Sequence, residues 1–254
     1  MNLAQCNLSV VPVRAEPSEK SEMISQLLFG ERCEIHTSHS GWAHIRTLDD
    51  DYEGWCSLNQ LSLMAADTAI EHTKGKKILV SQTGSVIEGS IEKLISFGSI
   101  LHTEGQPTQA VLQPMEGRWR EFPKRSSVTQ LIEDAQLFMG TPYLWGGRSI
   151  FGLDCSGFIQ ILFKANGISL PRDARQQVHI GETINFREEA KAGDLLFFDN
   201  TEGDITHVGM LIDGKNVIHA SGFVRSDQAD HYGIFNRDTG SYTHKLRIIK
   251  RITI

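Results

Sequence analysis

The chain has 254 residues, 40% of them hydrophobic and 22% charged, with a formal net charge of -6. That is a globular composition with room for more than one core. The acidic balance argues against nucleic acid or an anionic membrane as partner. No run reaches the roughly 18 consecutive apolar residues of a membrane span.

The opening "MNLAQCNLSVVPVRAEPSEK" lacks a basic stretch followed by an apolar one, so no signal peptide is read there. Cys6, Cys33, Cys56 and Cys155 are too few and too scattered for a disulfide framework. Together these point to the cytoplasm, or to the periplasm or cell exterior if a leader has been trimmed.

Residues 1–123 hold short β-type runs broken by turn residues. "NLSVVPVR", "RCEIHTS", "WAHIRTL" and "EGWCSL" come first, and "KKILVSQTG", "GSILHTEG" and "QAVLQPM" follow. This spacing predicts two small all-β barrels or sandwiches, at 1–64 and 65–123, joined near "MAADTAIEHTKGK". From Ser126 the period changes. Val128, Leu131, Ile132, Ala135, Phe138 and Met139 recur at helical spacing, Ser127 with Gln130 fits a capping box, and Gly140 and Pro142 mark the stop. A second helix is predicted from about Cys155 to Asn166, closed by Gly167 and apolar on most of its circumference, hence buried. Strands "DLLFFD", "HVGMLID" and "NVIHAS" follow, which makes residues 124–254 an α+β domain with helices packed on an antiparallel sheet.

Cys155 lies in "GGRSIFGLDCSGF", where a glycine-rich loop becomes that helix. A thiol attacks as its thiolate, and a helix amino end or a neighbouring imidazole lowers its pKa. Asp154 is placed to cap the helix, and Gly157 keeps its first turn open. His207 and His219 fall on the two arms of a hairpin around Asp213-Gly214. They share a face only if the loop has an odd number of residues. The expectation is a three-residue loop, Ile212-Asp213-Gly214, with Gly214 left-handed. His207 is then base and acid, and His219 orients it.

The segment from Ser127 to Ser221 resembles the NlpC-type, papain-like cysteine peptidases of bacterial cell-wall turnover. The resemblance is carried by "GTPYLWGG", "LDCSGF", "LPRDARQQ", "AGDLLFF", "THVGMLI" and "VIHAS". It implies a catalytic Cys155, His207 and His219. The layout is similar to that of γ-D-glutamyl-L-diamino acid endopeptidases of the dipeptidyl-peptidase VI kind, whose SH3-like domains precede the peptidase; "VRAEPSEKSEMISQLLFGE" resembles the first of these.

The resemblance implies hydrolysis of L-Ala-γ-D-Glu-L-diamino acid murein peptides with a free N-terminal L-Ala, a reaction that needs no cofactor; no metal is expected, and the sequence favours a monomer without fixing the oligomeric state. By motif position, Tyr143 and Asp173 are the implied substrate contacts of the catalytic domain. Asp154 and Ser156 lie beside the nucleophile, and Glu22 and Tyr52 are the candidate ammonium partners of the first β domain. The amide of Cys155, with Tyr143, is the implied oxyanion donor. Asp173 also stands where it can cap a helix after Pro171.

His36, His39 and His44 in "HTSHSGWAH" lack the spaced acidic or cysteine ligands of zinc sites. Rival readings are a zinc site on Cys155, His207 and His219, an amidase or acyltransferase using the same Cys–His pair, and a non-catalytic wall-binding protein.

Overall fold

The computed structural model describes residues 2–64, 77–102, 113–116 and 119–253. The predicted junction falls, Met64 apart, outside the described residues, as do parts of "GSILHTEG" and "QAVLQPM". The chain divides into two compact units, residues 1–124 with 145–151, and residues 125–144 with 152–254.

In the first unit, β1 (Asn2–Gln5), β2 (Val10–Arg14), β3 (Met23–Leu28), β4 (Arg32–His39), β5 (Trp42–Thr47), β6 (Glu53–Ser57) and β7 (Ser62–Leu63) form one antiparallel sheet. Burial alternates along β2 and β5, as a half-buried strand requires. The inward positions gather Val11, Val13, Leu27 and Ile45 around Cys6, Cys33 and Cys56. These three cysteines are free and act as small core residues.

The strands β8 (Lys77–Val80), β9 (Gly84–Glu88), β10 (Ile91–Ile95), β11 (Ile100–His102), β12 (Gln113–Glu116) and β13 (Trp119–Phe122) make two three-stranded sheets, ordered β10-β9-β12 and β11-β8-β13. The excursion 145–151 carries β14 (Arg148–Ser149). Arg148 ties it to this unit: its buried guanidinium meets Glu31 at 2.9 and 3.1 Å and donates to the Gln26 carbonyl at 2.7 Å.

The second unit contains helix α1 (Val128–Gln136), strand β15 (Gly152–Leu153), and helices α2 (Cys155–Ala165) and α3 (Ala174–Gln177). Ser127 caps α1 by accepting from the Gln130 amide at 3.2 Å, while the Gln130 side chain turns to Asp134 instead of completing a box. Every residue of α2 is buried, and the helix packs against β18 and β19.

The strands are β16 (Glu182–Ile184), β17 (Leu195–Asp199), β18 (Ile205–Leu211), β19 (Asn216–Ser221), β20 (Phe223–Ala229), β21 (Gly233–Asn236) and β22 (Ser241–Arg251), in the order β16-β22-β17-β18-β19-β20-β21. Here the sequence expectation needs correction. The long β22 pairs with β17 on one side and with β21 on the other, so six strands close into a barrel. With three α-helices among the described residues, sheet outweighs helix.

The β18–β19 hairpin corrects a second expectation. Gly209 faces His219 and Leu211 faces Val217, with Ile212 N donating to Asn216 O at 3.0 Å. The loop is therefore Asp213-Gly214-Lys215, one residue further along than expected. It is built by the Asp213 carboxylate, which accepts from the Lys215 and Asn216 amides at 2.7 Å each. Gly214 is not among the left-handed glycines. The odd loop length stands, and His207 and His219 share a face with Leu211 and Val217. Those two belong to the core cluster of Leu196, Phe198, Ile234 and Ile249.

Candidate active site

Cys155 is the first residue of α2, and its buried side chain lies at the helix amino end. Asp154 caps that end by accepting from the Gly157 amide at 2.7 Å. The Asp154 carboxylate also receives both arms of the Arg172 guanidinium, at 3.0 and 2.6 Å. Arg172 reaches the Ser156 hydroxyl as well, at 3.0 Å. The start of the helix is thus held by a buried, bidentate ion pair. Sequence reasoning missed Arg172, although it stands in the quoted "LPRDARQQ".

The sulfur rests on strand β18. Cys155 Sγ approaches the Thr206 carbonyl at 3.9 Å and is bonded by the Val208 amide, so it meets the backbone on both sides of His207. His207 Nε2 lies 2.9 Å from His219 Nδ1, and His219 Nε2 lies 3.1 Å from Asp227 Oδ2. Arg225 holds Asp227 at 2.7 and 3.0 Å. Asp227 is ionised: burial pushes its pKa up, but the bonds from His219 and Arg225 outweigh that and bring it below the ordinary value.

The relay runs diagonally over three adjacent strands. His219 faces Gly209 on one side and Arg225 on the other, and its partners are His207, two residues before Gly209, and Asp227, two residues after Arg225. Gly209 is needed here for space. A Cβ on it would come within 3.0 Å of the His219 Cβ and 2.7 Å of Val217.

Proton positions follow from the acceptor at the end. The Asp227 carboxylate only accepts, so His219 donates from Nε2 and, as a neutral ring, accepts at Nδ1. His207 then donates from Nε2 and keeps a bare lone pair on Nδ1, as a base for the Cys155 thiol must.

The resting charge differs from the sequence expectation of a thiolate. Burial pushes the Cys155 thiol up to about 12, and the charge of Asp154 adds to this. The Val208 and Ser156 amides and Arg172 pull the other way without offsetting it. Burial likewise brings His207 well below 6.5, helped by His244 and His219. Desolvation disfavours both charged forms, so the unliganded site holds a neutral thiol beside a neutral imidazole.

His244, absent from the sequence reading, stacks on His207 with ring centroids 4.1 Å apart. Asp227 was missed with it, since the strands after Ser221 carry little alternation. Tyr143 is half-buried and bridges to Leu153. Burial first, then Cys155 and Asp154, raise its pKa, which keeps the phenol a donor beside the sulfur. Asp173 precedes α3, where its amide is bonded by Gln176 Oε1 at 3.2 Å and its carboxylate by Arg175 at 3.2 Å. Cys155, His207, His219, Tyr143, Asp154, Ser156 and Asp173 all belong to the second unit. Glu22 and Tyr52 belong to the first. There Glu22 is exposed and accepts from the Trp145 indole at 2.6 Å, and half-buried Tyr52 bonds Thr47 through its backbone.

Residues 140–244 match the NlpC/P60 family, and residues 13–61 match the bacterial dipeptidyl-peptidase SH3 domain. A γ-D-glutamyl-L-lysine dipeptidyl-peptidase of Bacillus subtilis is 31% identical over 217 residues, which cover 77% of this chain and 71% of that protein. Dipeptidyl-peptidase 6 of Lysinibacillus sphaericus is 28% identical, over 82% of this chain and 83% of its own. The crystal structure of an NlpC/P60 family protein from Bacillus cereus shares the fold, with a TM-score of 0.83 at 20% identity, covering 98% of this chain and 99% of that one.

Proposed function

The chain belongs to the NlpC/P60 family of cysteine peptidases acting on the cell wall, and from that premise we propose that it cuts the γ-D-glutamyl–diamino acid bond of murein peptides bearing a free N-terminal L-Ala. The observation that carries the substrate is the similarity to the Bacillus subtilis dipeptidyl-peptidase, which extends over most of both chains. The chemistry is supported by Cys155 seated against the backbone on either side of His207.

In the first half-reaction His207 Nδ1 takes the Cys155 proton as sulfur attacks the γ-carbonyl carbon. The Cys155 amide, which has no intrahelical acceptor, and the Tyr143 hydroxyl hold the oxyanion. His207 passes its proton to the departing amine, the C–N bond breaks and a thioester remains. Water, deprotonated by His207, then displaces sulfur and frees L-Ala-D-Glu. Because thiol and imidazole start neutral, proton transfer accompanies attack. His219 and Asp227 hold the ring and stabilise the imidazolium that forms.

Substrate contacts in this reading are Tyr143, Asp154, Ser156 and Asp173 from the second unit, with Glu22 and Tyr52 from the first. Carboxylates suit the free ammonium end. Residues 65–123 are read as a second SH3-like module, and the peptidase as a monomer that recycles murein peptides inside the cell.

The test is incubation with L-Ala-γ-D-Glu-L-Lys, with and without an N-acetyl block, and product analysis by mass spectrometry. Release of L-Ala-D-Glu from the free-amine peptide alone is expected. Equal cleavage of the blocked peptide contradicts the dipeptidase reading and spares the Cys–His chemistry.

A further inference from the structure

His207, His219 and His244 each present a ring nitrogen, and the three nitrogens lie within 4.8 Å of one another. A tetrahedral zinc ion with Zn–N bonds of 2.0–2.1 Å needs ligand nitrogens about 3.4 Å apart. One pair here is already at 2.9 Å, and the set is completed when His244, the partly exposed ring, turns out of its stack on His207. Two of the rings have one nitrogen bonded to a neighbouring side chain, as metal-binding imidazoles usually do. His219 Nε2 is bonded to Asp227 at 3.1 Å, and His244 Nδ1 meets Thr243 Oγ1 at 2.9 Å. His207 and His219 are buried while His244 is partly exposed, which gives an ion a way in. Three imidazoles with no carboxylate among them select a borderline-soft divalent ion of the zinc type over magnesium or calcium.

We propose that these three histidines bind Zn2+ and that the ion switches the peptidase off. His219 is ready to ligate, because its Nδ1 carries a lone pair while its Nε2–H stays on Asp227. His207 is not. To bind through Nε2 it must move its proton to Nδ1, the nitrogen that otherwise receives the thiol proton. Bound zinc thus fixes the wrong tautomer, and Cys155 loses its base without being touched. The fourth position stays open to water.

The binding test uses the whole chain carrying Cys155→Ala, so that no catalytic thiol contributes and no substrate assignment is involved. Competition with a chromophoric chelator is expected to show one Zn2+ bound with micromolar or tighter affinity, unaffected by Mg2+. Adding His244→Phe, which keeps a stacked ring and removes the nitrogen, weakens binding by at least about tenfold, and so does His244→Gln. Asp227→Asn weakens it about 10–100-fold. Co2+ in the same site gives the absorption of a four-coordinate nitrogen centre with no sulfur-to-metal band. In the enzyme with Cys155 intact, micromolar Zn2+ stops turnover, a chelator restores it, and His244→Phe raises the inhibitory concentration by a similar factor. Failure of the Cys155→Ala chain to bind Zn2+ overturns the proposal, since the thiol is then the ligand. Equal affinity in both His244 variants overturns it as well.

Discussion

His207 Nε2 stands 2.9 Å from His219 Nδ1 across two adjacent strands, although the residue facing His219 is Gly209. The diagonal offset recurs one strand further on, where Asp227 rather than the facing Arg225 receives His219. The three groups therefore form a line of donors that ends on a carboxylate and leaves the lone pair of His207 Nδ1 uncommitted.

His219→Ala is expected to lower kcat by about 10²–10⁴-fold, because the group that selects the tautomer of the base is gone. Asp227→Asn, which weakens a hydrogen bond to a charged group worth about 1.5–3 kcal/mol, lowers kcat by about 10–100-fold. KM stays within a few-fold in both, since neither side chain is placed to touch substrate. Steady-state kinetics on L-Ala-γ-D-Glu-L-Lys checks this, and a loss confined to KM would mean that the relay binds substrate instead.

Arg172 is 1% exposed and pairs with Asp154 at the start of the catalytic helix. Removing one partner of a buried pair leaves an uncompensated charge, so Arg172→Met should destabilise the fold by about 3–5 kcal/mol. Arg172→Lys should recover only part of it, because a point charge cannot reproduce the bidentate fork. The combination with Asp154→Asn should be more stable than Arg172→Met alone. Urea unfolding measures all three, and a fully stable Arg172→Met would show that the pair is not what holds the helix start.

The neutral resting pair has a pH signature. The thiol is raised to about 12 by burial and by Asp154, so iodoacetamide should alkylate Cys155 more slowly at pH 7 than it alkylates a free cysteine. His207 is well below 6.5, so turnover should hold steady from pH 8 to 6 and fall only in more acid solution, where the base becomes protonated. Stability follows the same sign. His207, and His244 at about 4, protonate more readily in the unfolded chain, so the fold loses stability as pH drops below about 6.5. Rapid alkylation at pH 6 would identify a thiolate–imidazolium pair at rest.

Much of the site is visible in the sequence, for local reasons. The Asp-Cys-Ser-Gly run specifies a capped helix start, and the observed helix from Cys155 to Ala165 with Asp154 as cap follows from it. The even sum of 207 and 219 puts both imidazoles on one face of a hairpin whose loop is odd-numbered, and the observed loop has three residues. The loop position escaped because the Asp213 carboxylate, not a left-handed Gly214, turns the chain. His244 escaped because it meets His207 only when β22 pairs with β17, a pairing between strands far apart in sequence, whereas Asp227 lies on a local hairpin, eight residues from His219, whose sequence carries little alternation. Arg148 shows the same limit. It sits between two peptidase motifs, yet its ion pair with Glu31, 117 residues away, makes its segment part of the β unit.

The claim on which the mechanism depends is that Cys155 carries the acyl group. Enzyme quenched in acid during turnover of L-Ala-γ-D-Glu-L-Lys and mapped by peptide mass spectrometry tests it most directly. The account predicts that the peptide containing Cys155 gains the mass of L-Ala-D-Glu less one water, and that Cys155→Ala shows neither adduct nor turnover. Continued turnover by Cys155→Ala, or an adduct on another residue, would contradict it.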